Sequence, residues 1–213
     1  MKINRCGELQ YITFDNISDT GFVNHAFSTR LGGVSLGCFS SLNLGLNRGD
    51  EREHVLENYR RLSDAAGFDW RNVVFSNQTH DVNVHRATAD DRGNGILRAS
   101  TVKDTDAFVT NAENVVLQTF HADCVPVFLA DPVRRAVGLV HAGWLGTLCE
   151  IARVTVERIA AEFGTDPADI VAAIGPSIGP DSFEVDNDVA DRFRDELPFS
   201  DEFTRRAGDK FLI

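Results

Sequence analysis

The sequence predicts an α+β domain, and three observations predict it. Short apolar, β-branched runs recur along the chain, two stretches carry apolar residues at helical spacing, and 213 residues with 43% apolar content suffice for one core. A single domain over residues 1–213 is the expectation.

The elements follow in order. Residues 22–28 read as a strand that runs into a turn-rich loop carrying Arg30, Gly32, Gly33 and Ser35, and the irregular stretch continues through Asn43 and Gly45. Over 51–66, Val55, Tyr59, Leu62 and Ala66 fall three and four apart, so a helix is expected, stopped by Gly67. Strands are expected at 73–75, 83–85, 107–109 and 115–120, with a polar connection over 90–100. Two further apolar runs follow, one opening at Cys124 and one closing at His141. Thr147 is placed as N-cap of a helix to Phe163 that Gly164 ends. A strand at 170–174 stops at Gly175-Pro176, and a last helix covers 188–196.

Charge narrows the function. A net charge of −11 argues against a nucleic-acid partner, which needs clustered Lys and Arg to displace counterions. Small-molecule substrates fit better. No apolar run reaches membrane-spanning length and the N-terminal stretch lacks the apolar core of a signal peptide, so a cytoplasmic protein with Cys6, Cys38, Cys124 and Cys149 reduced is expected, with no membrane partner. These features say nothing of oligomeric state.

Chemistry concentrates where Cys124 and His141 meet strand ends. Consecutive strands usually pair, which would bring thiol and imidazole together, and His80 is the candidate third donor on another strand. One thiolate and two imidazoles form a ligand set of the catalytic zinc type. The alternatives are an inert buried Cys and a hydrogen-bonding His. His121 and His85 compete as ligands, and Asp123 and Asp106 are the carboxylates placed to act as acid, base or partner to an imidazole. Arg30 can receive a phosphate or carboxylate, with Gly33, Ser35 and Asn43 beside it. The glycine turn at Gly143, ahead of Gly146 and Thr147, would favour an anion near His141.

Several strings together resemble the polyphenol oxidase (laccase-like) family. They are Phe27-Ser-Thr-Arg30-Leu-Gly-Gly33-Val-Ser35, Ser41-Leu-Asn-Leu-Gly45, Gln78-Thr-His80, Ala122-Asp-Cys124-Val-Pro-Val-Phe-Leu-Ala-Asp-Pro132, His141-Ala-Gly-Trp144, Ile174-Gly-Pro176 and Phe183-Glu-Val185. The resemblance runs from about Phe22 to the C-terminus. It implies a mixed β-sheet sandwich with flanking helices, and a metal held by His80, Cys124 and His141, zinc or alternatively copper. It also implies phosphorolysis of adenosine, inosine and methylthioadenosine, with adenosine deamination as a further activity. Cys124, His121 and Asp123 are then the candidate catalytic residues, and Arg30, Gly33, Ser35, Asn43 and Gly143 the candidate contacts to purine nucleoside and phosphate.

Three departures from the family pattern stand out. Leu145 occupies the family's usual Arg position, His121 stands where a small or hydroxyl residue is usual, and the family continues past Ile213 with a helix and a strand. Two other function classes remain beside the phosphorylase. One is a metal-free hydrolase with Cys124 as nucleophile and His141 as base, and the other is copper-dependent phenol oxidation.

Overall fold

The computed structural model describes residues 1–213, the side chain of Pro198 excepted. In chain order its strands begin with β1 (Lys2–Cys6), β2 (Leu9–Thr13), β3 (Phe27–Ser28), β4 (Val73–Val74), β5 (Val84–Arg86), β6 (Ala107–Thr110) and β7 (Val116–Leu117). They continue with β8 (Val125–Asp131), β9 (Ala136–Ala142), β10 (Val171–Ile174), β11 (Glu184–Val185), β12 (Arg205–Ala207) and β13 (Lys210–Leu212). The helices are α1 (Asp15–Ser18), α2 (Arg52–Ala66), α3 (Trp144–Leu148), α4 (Ile151–Phe163) and α5 (Asn187–Glu196).

The longest strands, β8 and β9, are the two apolar runs around Cys124 and His141. They form an antiparallel hairpin in which Pro126 pairs with His141 and Val125 with Ala142. Asp131 shapes its turn by accepting the Val133 and Arg134 amides at 2.7 and 3.1 Å. The hairpin sits inside a five-stranded sheet of order β10-β8-β9-β6-β5, where β5 and β6 run parallel and the other pairs antiparallel. Register therefore sets Cys124, just before β8, beside the end of β9.

The helices cover the sheet because their apolar stripes match its buried positions. Ile151 and Ile159 of α4 pack on Ala107, Val109, Val127, Leu129 and Val140, and each such aliphatic side chain contributes about 1.5–3 kcal/mol when buried. Val55 and Tyr59 of α2 pack on Val73, Phe75 and Ile96. Gly67 ends α2 at φ 78°, a left-handed position that favours glycine. Among the described residues no helix is long and apolar enough to cross a membrane.

The α+β class and the mixed sheet with flanking helices are borne out, and several element bounds change. The strand expected at 22–28 shrinks to β3, because only Phe27 and Ser28 find partners, on β2. The helix expected from Thr147 to Phe163 is two helices. α3 starts earlier, at Trp144, and closes with the Cys149 amide on the Leu145 carbonyl, after which Glu150 takes φ 56° and breaks the run before α4. Thr147 thus lies within α3 rather than capping a helix. The β1–β2 hairpin and the β11-β13-β12 sheet were not anticipated, since their strands are short and mostly exposed.

Candidate metal centre

Two imidazoles and a thiol converge where β8, β9 and the turn after β4 meet. The donor atoms of His80, Cys124 and His141 all lie within 4.8 Å of one another. His141 is 3% exposed near the end of β9, Cys124 is half-buried and His80 is exposed. Sequence reasoning placed His80 at a strand end. It lies instead in a turn, with a left-handed φ of 62°, a conformation that a non-glycine residue holds only when its surroundings enforce it.

Asp106, fully buried just before β6, is what enforces it. Its Oδ2 accepts the Thr79 amide, the Thr79 hydroxyl and the Asp81 amide at 3.0, 3.1 and 3.1 Å. Its Oδ1 accepts the His80 amide at 3.0 Å and Nδ1–H of His141 at 2.8 Å. The second contact fixes the His141 tautomer, because a carboxylate can only accept, and leaves the Nε2 lone pair free for a ligand. Burial opposes ionisation of Asp106, but His141 and the Thr79, Asp81 and His80 amides hold its carboxyl below the usual range.

The thiol behaves the opposite way. Burial, then the charges of Asp123 and Asp106, push Cys124 above its ordinary value, while burial lowers His141. A neutral thiol therefore faces a neutral imidazole. Both become good ligands once a cation is bound, since a metal supplies the positive charge that deprotonates a thiol. The donor set thus fits a metal ion better than a free nucleophile.

Gly143 makes room for this arrangement. A Cβ there would lie 2.7 Å from His80 Cδ2 and 3.5 Å from Cys124 Sγ, so the backbone must pass bare. The anion role expected of Gly143 has little to stand on, because α3 is a five-residue helix.

The other candidates are distributed unevenly. His121 packs its ring 5.2 Å from that of His141, yet both its nitrogens are engaged: Nδ1–H donates to the Cys124 carbonyl at 3.1 Å and Nε2 accepts the Thr119 hydroxyl at 2.8 Å. Burial pushes it down to about 4, so it is neutral at pH 7. Asp123 is exposed beside Cys124. His85 lies on β5, paired with Asp91 at 3.4 Å and outside the donor cluster.

Arg30 spends its guanidinium on the Ser40 carbonyl at 3.1 and 2.5 Å. Gly33 passes so close to Ser41 and Leu42 that a Cβ would overlap their backbone. Ser35 is buried and accepts from Asn58 at 2.8 Å. Asn58 of α2, which the sequence reading missed, is the hub of this loop. It accepts the Val34 amide and donates to Ser35, Ser41 and Asn43. A polar residue on the apolar stripe of a helix was the available signal.

His80, Cys124, His141, His121, Asp123 and Asn43 line one open cleft of about 2010 Å³. That exceeds the ~300–1,000 Å³ usual for small-molecule sites, so its volume does not select a ligand. Arg30, Gly33, Ser35, Gly143 and Leu145 are not on its wall.

A mixed sheet and the turn beside it bring one thiol and two imidazoles together as a candidate metal site in an α+β fold of laccase-like type. The family model described as multi-copper polyphenol oxidoreductase laccase matches residues 24–213, and the chain belongs to that family. It is similar to purine nucleoside phosphorylase YlmD of Bacillus subtilis, 43% identical over 175 residues, which are 82% of this chain and 63% of that protein. Purine nucleoside phosphorylase LACC1 of Homo sapiens is 36% identical over 90% of this chain and 43% of its own length. The chain thus spans less than two thirds of either relative. The crystal structure of Bacillus licheniformis hypothetical protein YfiH matches at TM-score 0.88 and 35% identity, covering 99% of this chain and 79% of that one.

Proposed function

We propose that this site carries out zinc-dependent phosphorolysis of purine nucleosides, taking adenosine, inosine or methylthioadenosine, with adenosine deamination as a side activity. The carrying observation is the convergence of His80, Cys124 and His141 on a cleft wall, in a chain whose relatives are named purine nucleoside phosphorylases. In the reaction the bond from C1′ to the purine breaks and a phosphate oxygen bonds to C1′, giving free base and ribose 1-phosphate, or its 5-methylthio counterpart from methylthioadenosine.

A zinc ion held by these three residues would supply Lewis-acid stabilisation of negative charge on an oxygen of phosphate or substrate. The chain's own groups do the rest. Asp106 keeps His141 in one tautomer and His80 in its turn, so both donors are set before substrate arrives. Asp123, exposed on the cleft beside Cys124, is the candidate acid that protonates the departing purine. His121, neutral and tied to Thr119 and the Cys124 carbonyl, shields the buried side of the centre. Arg30, Gly33 and Ser35 act by fixing the loop that carries Asn43 to the cleft.

Copper-dependent phenol oxidation fits the donor set less well. The His80, Cys124 and His141 cluster offers three ligand atoms, enough for one ion and not for several. The metal-free reading has one observation in its favour, the Asp106–His141 pair behind Cys124, which has the layout of a thiol triad. The raised thiol and lowered imidazole weigh against it.

The test is base release from inosine and adenosine, with and without phosphate or arsenate, before and after chelation. Base appearing only with phosphate, and lost on chelation, is expected. Equal release without phosphate indicates a hydrolase, and ammonia without base a deaminase. Turnover that survives chelation but not thiol alkylation returns the reaction to Cys124 as nucleophile.

A further inference from the structure

Asp106 carries a full negative charge into a place where no cationic side chain meets it. It is 0% exposed, and among the described residues its ion-pair contact is with His141 alone, through Nδ1 at 2.8 Å. Its remaining donors are the Thr79 hydroxyl and the amides of Thr79, His80 and Asp81. These donors hold the carboxylate in its charged form, but none of them brings a positive charge to cancel it. A thiolate at Cys124 would add a second negative charge beside the same imidazole, since the donor atoms of Cys124 and His141 lie within 4.8 Å of each other.

We propose that Asp106 is both the positioning residue and the charge-setting residue of the metal centre. One carboxylate holds the ring of His141 and the backbone turn of His80, which arrive on unconnected elements, and together with the Cys124 thiolate it fits the site to a dication. This rests on the His80–Cys124–His141 centre proposed above. Two negative charges and a dication leave the centre neutral. A cuprous ion, which a soft thiolate would otherwise welcome, leaves it anionic and buried.

Positioning and charge make separate predictions. Loss of an outer partner to a ligating histidine costs about 10- to 100-fold in metal affinity. The charge adds a signature that mere support of the fold does not have: Coulomb attraction scales with the charge of the ion, so removing one negative charge weakens a dication by twice as many decades as a monocation. An Asp106→Asn protein that loses about 100-fold for zinc through charge should lose only about 10-fold for Cu(I).

The experiment is competition titration of Zn(II), and anaerobically of Cu(I), into wild type, Asp106→Asn and Thr79→Val. Thr79→Val removes one neutral donor to the same carboxylate and keeps the charge. The Zn(II)/Cu(I) affinity ratio should fall about tenfold in Asp106→Asn and stay at the wild-type value in Thr79→Val. A wild-type protein that binds no zinc overturns the metal centre itself. Zinc binding in wild type with an unchanged ratio in Asp106→Asn overturns the role of Asp106 alone. Should Asp106→Asn not fold, Asp106→Glu keeps the charge while displacing His141 and the His80 turn. Both ions should then weaken tenfold or more at a constant ratio, and unchanged affinity would overturn the positioning role.

Discussion

The backbone at Gly143 and the ring of His80 are in such close approach that a single added methyl would sit 2.7 Å from His80 Cδ2. Contact at that distance forces a shift, and Gly143 is held between the end of β9 and the start of α3 while the exposed His80 ring is the part able to move. Gly143→Ala should therefore turn His80 away from Cys124 and His141. Zinc affinity should drop tenfold or more, about 1.4 kcal/mol per decade, while the metal-free protein melts within a few degrees of wild type. Zinc titration with parallel thermal melting checks this. Retained affinity would mean that His80 is not held by this contact.

In the proposed centre Cys124 would supply the one anionic ligand of the three. Replacing it by Ala leaves two neutral imidazoles, which hold zinc far more weakly than a set with a thiolate. Stoichiometric metal and nucleoside cleavage should disappear together, with the fold intact because Cys124 is only half-buried and precedes β8 rather than lying in its core. Elemental analysis of the purified variant decides it. A Cys124→Ala protein with a full metal complement would remove Cys124 from the ligand set.

The pairing of Cys124 with His141 was readable in the chain because both sit at ends of consecutive apolar runs, and consecutive strands tend to pair. The His80 placement was readable only as a position off those strands. Its turn depends on Asp106, 26 residues away, and no local pattern announces a left-handed histidine held by a remote carboxylate. For Arg30, Gly33 and Ser35 the sequence shows the loop but not the bonds these residues make within it. A glycine-rich loop with an arginine looks like an anion cradle, but here Arg30 donates to the Ser40 carbonyl, the Gly33 amide to Ser41 Oγ and the Val34 amide to Asn58 Oδ1. The broken helix at Cys149–Glu150 escaped because its apolar stripe continues across the break.

His25 gives the fold a pH dependence away from the metal centre. Its Nε2 accepts the Phe14 amide at 2.8 Å, and its ring packs against Phe14 and Phe128 with centroids 5.8 and 6.1 Å away. Burial lowers its pKa below the ordinary imidazole value of 6.5. A depressed histidine stabilises the fold in its neutral form, so the contribution is complete above about pH 6.5 and is lost as pH falls through the lower folded value. Protonation also takes the lone pair that the Phe14 amide needs. Wild type should lose more unfolding free energy between pH 7.5 and 5 than His25→Gln, which cannot titrate. Parallel denaturant curves for the two proteins would refute the assignment.

Asn58 is the residue on which the loop from Gly33 to Asn43 depends. It is fully buried in α2, its Oδ1 takes the Val34 amide at 2.8 Å, and its Nδ2 serves Ser35 Oγ and the Asn43 carbonyl at 2.8 Å each. Asn58→Ala orphans these groups, and a buried polar group left unpaired costs about 1–3 kcal/mol. Asn58→Asp is nearly isosteric yet should be worse. It keeps the acceptor for Val34 but sets a carboxylate oxygen against the Asn43 carbonyl and adds an unpaired buried charge. The expected order of stability in urea is wild type, then Asn58→Ala, then Asn58→Asp. Limited proteolysis should begin within residues 31–41 in both variants, at concentrations where wild type resists. Because Asn43 reaches the cleft through this loop, nucleoside KM should rise in Asn58→Ala while zinc content stays at the wild-type value. A variant that lost zinc along with the loop would show that Asn58 supports the metal centre as well as the loop.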